Sequence, residues 1–189
     1  MPINIPILLT WARVIAIPLL VAIFYSPFGI LSDGTRDILA TTLFILAAVT
    51  DWLDGFLARR WNQTSAFGAF LDPVADKLLV AACLIVLVHQ GHAHGLIALI
   101  IMGREITISA LREWMSSIGA RAAVAVNNLG KYKTAAQMVA LPMLLLNREV
   151  FGLDMHLIGT WLLYVAAALT VVSMVVYLKA AWPTIKANA

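Results

Sequence analysis

Long apolar stretches alternate with short polar connectors along the whole chain. Six stretches approach the roughly 20 residues needed to cross a hydrocarbon core, at about 6–26, 37–58, 70–90, 94–115, 133–148 and 156–178. The connectors between them, such as 26–34, 60–68, 89–95 and 147–154, carry turn-forming residues. Irregular backbone exposed to lipid leaves its polar groups unpaired, so helices are the plausible spanning elements. The pattern predicts an all-α integral membrane protein with six transmembrane helices.

The start of the first apolar stretch differs from the rest. Pro6 and Pro18 interrupt it, and Trp11 and Arg13 are residue types that suit a membrane interface better than the bilayer centre. We therefore expect a short N-terminal interfacial segment that leads into the first span.

Composition agrees with a membrane protein. Of the 189 residues, 62% are hydrophobic and 12% are charged, whereas a soluble domain is about half apolar and about a quarter charged. No linker or change of composition divides the chain, so we expect one domain over residues 1–189. The single cysteine, Cys83, lies in an apolar run, which excludes a disulfide framework and a cysteine-rich metal site.

The positions of the basic residues indicate an orientation. If the N-terminus is cytoplasmic and the spans alternate, Arg36 and Arg148 fall outside and the other lysines and arginines fall at or toward the inside. This distribution follows the positive-inside rule. Both termini are predicted to be cytoplasmic.

Four carboxylates interrupt the apolar pattern around the second connector. Asp51 and Asp54 are three residues apart, and Asp72 and Asp76 are four apart, so on helices each pair shares one face. An ionisable group at the centre of a membrane helix costs roughly 2.5–3.5 kcal/mol. This cost argues against four carboxylates that serve only as packing residues. Asp72 before Pro73 could alone be a helix cap. Clustered carboxylates without Cys or His favour Mg²⁺, Mn²⁺ or Ca²⁺ over zinc.

The residues between these carboxylates are small. Gly55 and Ala58 remove side-chain bulk from the carboxylate face, so a nucleotide or another backbone can approach. At the end of span 2 and the start of span 3, the cluster is predicted at the cytoplasmic surface, where a lipid and a water-soluble molecule can meet.

Residues 51–76 fit the pattern D-x2-D-G-x2-A-R-x8-G-x3-D-x3-D at every fixed position: Asp51, Asp54, Gly55, Ala58, Arg59, Gly68, Asp72 and Asp76. This resembles the signature of the CDP-alcohol phosphotransferases. The segments NIPILLTWARVIAIP, GREITISALREWM and GKYKTAAQMVAL resemble members that use sn-glycerol 3-phosphate as acceptor.

The resemblance implies a homodimeric enzyme of the bacterial inner membrane, with its active site facing the cytoplasm. It would transfer the phosphatidyl group of CDP-diacylglycerol to sn-glycerol 3-phosphate and release CMP, with two Mg²⁺ or Mn²⁺ ions. The implied metal ligands are Asp51, Asp54, Asp72 and Asp76, and Asp76 would also be the general base. The positions implied or expected to bind the CDP-diacylglycerol are Thr10, Gly55, Ala58, Arg59, Ser65 and Gly68.

A phosphorylated acceptor needs a basic pocket beside the carboxylates. The candidates are Arg104, Arg112, Lys131 and Lys133. Arg104 and Arg112 are eight residues apart, about two helical turns, and Glu105 could orient a basic neighbour. Alternatively, Arg112 and the lysines only anchor helix ends at anionic headgroups. The histidines at 89, 92, 94 and 156 are expected to be surface residues on the outer side.

Other functions fit parts of this pattern. A divalent-cation transporter also places acids in a membrane, but the acids cluster at one face and no inverted repeat is apparent. A nearer alternative is the same family with inositol phosphate, serine or phosphatidylglycerol as acceptor, since the signature concerns the donor and the metals. An inactive homologue is a third, weaker alternative.

Overall fold

The computed structural model describes residues 5–25, 31–61, 66–120 and 128–188. Within these ranges six α-helices follow one another: α1 (Ile5–Tyr25), α2 (Asp33–Arg60), α3 (Ala66–His89), α4 (Gly95–Ser117), α5 (Asn128–Leu146) and α6 (Met155–Asn188). Two short strands, β1 (Glu149–Val150) and β2 (Leu153–Asp154), lie between α5 and α6. The prediction of six helices is therefore confirmed for the described chain, with bounds that differ by several residues.

Three of the described helices have segments long and apolar enough to cross a membrane: Ile7–Tyr25, Asp33–Leu57 and Met155–Lys186. Many large apolar side chains lie on the outer surface, for example Phe70 (65% exposed) and Leu99 (67% exposed). A surface of this kind suits contact with lipid. The architecture is that of an all-α membrane protein.

The connector before α6, for which the sequence indicated only turn-forming residues, forms a β-hairpin. Glu149 pairs with Asp154 and Val150 with Leu153 in an antiparallel hairpin. Its two turn residues, Phe151 and Gly152, have positive φ angles of 53° and 76°. This is the backbone twist that a two-residue hairpin requires.

The described part of the predicted interfacial segment is continuous with the first span. Helix α1 runs without interruption from Ile5 through Pro18, and residues 1–4 lie outside the described chain. Arg13 is not at an interface with water, because its side chain is 0% exposed. It contacts Asp51 and Asp54 on α2, which is how an arginine is accommodated in an apolar helix.

Packing is most extensive between α5 and α6 and between α1 and its neighbours α2 and α3. One apolar core joins all six helices, with Leu20, Phe44, Leu84, Leu144 and Leu163 among its buried members. Where α5 meets α6, a Cβ on Gly159 would lie 2.9 Å from Leu144 Cγ and 3.2 Å from the Ala140 carbonyl oxygen. The close approach of these helices therefore requires glycine at this position.

Contacts at the two ends of the bundle show that successive helices run in opposite directions. At one end Tyr25 stacks on His89 with ring centroids 4.9 Å apart, and Arg148 donates to the Gly34 carbonyl at 2.9 Å. The end of α2 with Asp51, the start of α3 and the start of α5 lie at the other end, with Arg13 of α1. Side chains from all six helices can thus meet at a single end.

Not all four histidines are surface residues. His92 is half-buried, packs edge-on against His156 with centroids 5.5 Å apart, and its Nε2 lies 3.1 Å from Asn147 Nδ2. Burial, followed by the proximity of His156, lowers the pKa of His92 below its ordinary value. His89 and His94 are exposed, as expected.

Substitution of Gly159 with alanine should destabilise the protein by about 1–3 kcal/mol, because the added methyl group overpacks the α5–α6 contact. The matched control is Gly95→Ala, where a Cβ would meet Val88 Cγ1 at an ordinary 3.8 Å. Thermal unfolding in detergent measures both. Equal midpoints for the two variants would contradict the close approach at Gly159.

Substitution of Arg13 with glutamine should destabilise the protein by about 3–5 kcal/mol, because it leaves the buried Asp54 carboxylate unpaired. Asp33→Asn is the control, since Asp33 is 99% exposed and its contact with Arg36 spans 3.5 Å. An exposed pair of that kind contributes at most about 1 kcal/mol. The free energy of unfolding is measured by chemical denaturation in detergent with EDTA. If it falls by the same small amount in both variants, Arg13 does not hold α1 to α2.

Candidate active site

The first pair of carboxylates lies near the end of α2 and faces α1. Arg13 Nη1 lies 2.5 Å from Asp51 Oδ1, and Arg13 Nη2 lies 2.5 Å from Asp54 Oδ2. The three-residue spacing places both carboxylates on one helix face, so a single guanidinium reaches both. Asp54 is buried and Asp51 is partly exposed, with 39% of its side chain accessible.

The second pair lies on α3 and faces the first. Thr10 of α1 donates a hydrogen bond of 2.8 Å from Oγ1 to Asp72 Oδ1. Asp76 is half-buried, and both Asp51 and Asp72 are close enough to repel its charge. Asp72 does not cap a helix, because α3 begins at Ala66 and Pro73 lies inside it. The four carboxylates therefore gather around α1, within electrostatic range of one another.

These carboxylates are not arranged as a finished metal cage. Across the described residues, no group of three or more His, Cys, Asp or Glu side chains has a geometry ready for a metal ion. Asp51 and Asp54 nevertheless converge on one cationic group, the Arg13 guanidinium. The donors are hard oxygens, the type that Mg²⁺ and Mn²⁺ prefer. The residue types and their convergence thus fit a divalent cation.

The structure describes the side chains of only some of the positions expected to bind the nucleotide. Gly55 and Gly68 are half-buried, near the end of α2 and the start of α3. Ala58 and Arg59 lie in the last turns of α2, where only the helix itself is described. Ser65 lies outside the described residues. Thr10 bonds to Asp72, a contact that the sequence gave no means of predicting.

A basic cavity of about 420 Å³ opens between α4, α5 and α6. The charged groups on its described wall are Arg104, Arg112, Lys133 and Glu105. The structure thus brings together three of the four basic residues that the sequence suggested. The fourth, Lys131, lies in the first turn of α5, where only the helix is described.

Helix α6 supplies hydrogen-bond partners for the arginines of this cavity that sequence patterns did not indicate. Arg112 Nη2 donates to the Tyr177 hydroxyl at 2.9 Å, and Arg104 Nη2 donates to Ser173 Oγ at 3.1 Å. The guanidinium carbons of Arg104 and Arg112 lie 5.6 and 5.1 Å from the centroid of the Tyr177 ring. Both distances are within the range of cation–π attraction. Only the polar character of Ser173 and Tyr177 within an apolar run could have drawn attention to them.

A smaller cavity of about 60 Å³ lies between the carboxylates and the basic cavity. Asp76 and Lys77 line it from α3, Glu105 from α4, and Lys133 from α5. Glu105, Lys133, Thr134 and Met138 also line the basic cavity. The two cavities therefore share a wall, and Asp76 lies across it from the arginines.

An apolar cavity of about 270 Å³ lies on the other side of Met138, between α2 and α5. Its walls include Phe44, Ala48 and Val49 of α2 and Pro142 of α5. Ala48 is three residues before Asp51, so the two side chains share a helix face. Apolar surface is thus available directly beside the carboxylates.

Comparison with known proteins identifies the family. The family model for CDP-alcohol phosphatidyltransferases matches residues 3–172. The chain is 50% identical to the CDP-diacylglycerol–glycerol-3-phosphate 3-phosphatidyltransferase of Salmonella choleraesuis (strain SC-B67), over 96% of both chains. It is 49% identical to the protein of the same name from Haemophilus influenzae, over 96% of this chain and 95% of the relative. This chain therefore belongs to the CDP-alcohol phosphatidyltransferase family.

Proposed function

We propose that this protein transfers the phosphatidyl group of CDP-diacylglycerol to sn-glycerol 3-phosphate, forming phosphatidylglycerophosphate and CMP. The main support is near-full-length identity of about half to relatives named for this reaction. The site adds an independent reason: a carboxylate cluster adjoins a cavity with three cationic side chains. The carboxylate cluster suits a metal-bound diphosphate, and the basic cavity suits a phosphorylated acceptor.

In the proposed reaction the acceptor hydroxyl oxygen attacks the phosphorus that carries diacylglycerol. A new P–O bond forms, the bond to the CMP oxygen breaks, and the hydroxyl proton passes to Asp76. Asp76 suits this role because it lines the small cavity that shares a wall with the basic cavity proposed for the acceptor. CMP leaves with the electron pair of the broken bond.

Asp51, Asp54, Asp72 and Asp76 are the proposed ligands of two divalent cations, Mg²⁺ or Mn²⁺. Such ions neutralise charge on the diphosphate and on the leaving group. Arg59, Ser65, Gly55, Ala58 and Gly68 are proposed to contact the CDP portion. The apolar cavity beside Val49 offers a place for an acyl chain of the donor.

Arg104, Arg112, Lys131 and Lys133 are proposed to bind the acceptor phosphate. Two arginines directed by Tyr177 present several N–H donors to one cavity, which favours phosphate over an uncharged acceptor. This is the reason to prefer glycerol 3-phosphate to serine. Cation transport is disfavoured because the four carboxylates gather at one end of the bundle, around α1, rather than in a line across it.

We also propose that the six helices form six spans of one membrane domain over residues 1–189. The N-terminus would be cytoplasmic, because this orientation places Arg36 and Arg148 outside and the other basic residues toward the cytoplasm. The bacterial inner membrane and a homodimeric state are part of the same proposal.

Purified protein with CDP-diacylglycerol, glycerol 3-phosphate and Mg²⁺ or Mn²⁺ should release CMP. Asp76→Asn should reduce kcat by at least about 100-fold, since removal of a general base costs that much, while CDP-diacylglycerol still binds. Glu149→Gln is the control, because this exposed carboxylate lies on β1 and its loss should leave turnover unchanged. CMP release with inositol phosphate or serine but not with glycerol 3-phosphate would overturn the acceptor assignment. Near-normal turnover of Asp76→Asn would exclude Asp76 as the base.

Substitution of Arg112 with alanine should raise the KM for glycerol 3-phosphate about tenfold or more, the effect of losing a charged hydrogen bond. The KM for CDP-diacylglycerol should stay nearly constant, since Arg112 lines the basic cavity proposed for the acceptor. Lys179→Ala provides the matched loss of an exposed cation on α6. An unchanged acceptor KM for Arg112→Ala would remove Arg112 from the phosphate site.

A further inference from the structure

Glu105 occupies a distinctive place in the site. Glu105 lines the basic cavity and also the smaller cavity, which Asp76 lines too. Of its side chain, 22% is exposed. Among the described residues that line the basic cavity, it is the only carboxylate. A negative group inside a proposed phosphate site opposes phosphate binding by simple charge. Its presence there calls for a compensating role.

The contacts of Glu105 indicate that role. Its Oε1 accepts a hydrogen bond from Arg104 Nη1 at 3.0 Å and another from Lys133 Nζ. Arg104 has a second anchor, since it also donates to Ser173 Oγ, which donates to the Thr170 carbonyl at 2.9 Å. For Lys133, which has 4% of its side chain exposed, Glu105 is the one hydrogen-bond partner within the described chain.

The position of Lys133 depends strongly on this contact. Lys133 is on α5 and Glu105 on α4, and the main neighbours of α4 are α6 and α3 rather than α5. Few backbone contacts therefore fix α5 against α4 where Glu105 and Lys133 meet. An ammonium group this buried is costly when no anion pairs with it. The carboxylate restricts it to the wall between the two cavities.

We propose that Glu105 is a positioning residue for the acceptor site. It holds the Lys133 ammonium at the wall between the arginines and Asp76, where one acceptor molecule would place its phosphate and its hydroxyl. It also reduces the charge of the described cavity wall from three positive groups to a net of two, which matches a phosphate dianion. This inference rests on the proposed function, because it assumes a phosphorylated acceptor in this cavity.

Glu105→Gln keeps the shape of the side chain and removes its charge. We expect the KM for glycerol 3-phosphate to rise about tenfold, as for loss of one charge-assisted hydrogen bond. The KM for CDP-diacylglycerol should change less than about twofold, within ordinary variation for a distant site. The control is Glu113→Gln, an exposed carboxylate two turns further along α4, which should leave both constants unchanged.

A double-mutant cycle separates positioning from a general structural effect. If Glu105 acts by holding Lys133, Glu105→Gln should add little to the acceptor KM of Lys133→Met. Independent, additive effects would overturn the proposal. A fall in the acceptor KM of Glu105→Gln would show that the carboxylate only competes with phosphate. An equal rise in the KM of both substrates would show a structural role.

Equilibrium binding of inorganic phosphate in EDTA tests Glu105 without turnover. Phosphate should raise the unfolding midpoint of the wild-type protein and of Glu113→Gln, and Glu105→Gln should need about ten times more phosphate for the same rise. Equal phosphate dependence in Glu105→Gln and wild type overturns the role of Glu105. Absence of CMP release by the wild type overturns the proposed function instead, so the two failures are distinguishable.

Discussion

The contact of Arg13 with Asp51 and Asp54 is the interaction on which the rest of this bundle depends. It places a guanidinium with no exposed surface between two carboxylates of a neighbouring helix, each at 2.5 Å. Charged groups next to lipid are tolerated only when they are paired. The pair therefore lets α1 and α2 carry these charges at their shared interface, where an unpaired charge would be costly.

The same contact organises the proposed catalytic chemistry. Because α1 also bonds to Asp72 through Thr10, one helix holds carboxylates of both α2 and α3. Asp51 and Asp54 already share one cation, so their oxygens are oriented toward a common point before a substrate arrives. Preorganised oxygen donors of this kind lower the cost of gathering negative charge around metal ions and a diphosphate.

The basic cavity, which is the proposed acceptor site, is built on a different principle. There the cations outnumber the anions, and the protein restrains them with groups from α6 rather than with equal opposite charge. Tyr177 and Ser173 direct the two arginines without neutralising them. Positive charge thus remains available for a phosphate, whereas Glu105 takes part of it to fix Lys133. The shared wall at Glu105 and Lys133 connects this basic region to Asp76.

Much of the fold followed from the chain pattern because the membrane leaves few alternatives. Apolar runs of spanning length must be helices, and all six predicted helices occur. Helix ends were less predictable, as α3 starts at Ala66 and α6 extends to Asn188. The α6 extension carries polar residues such as Lys179 and Lys186, and the α3 extension contains Gly68. A sequence pattern assigns such residues to connectors, although in this fold a helix continues through them. The hairpin at 149–154 was missed because two-residue strands leave no periodic signal.

The sequence by itself determined the helices and the family. It also pointed to the aspartates as the proposed chemical centre, since four carboxylates at helix-face spacing in an apolar chain have few structural uses. Only the tertiary structure decided their partners. Arg13 reaches Asp54 across 41 residues, Lys133 reaches Glu105 across 28, and Arg104 reaches Ser173 across 69. Periodicity shows which residues share a face of one helix. It does not show which face of another helix that face packs against. That choice is made by the packing of all six helices together, so Arg13, Glu105 and Tyr177 acquired their roles only in the folded bundle.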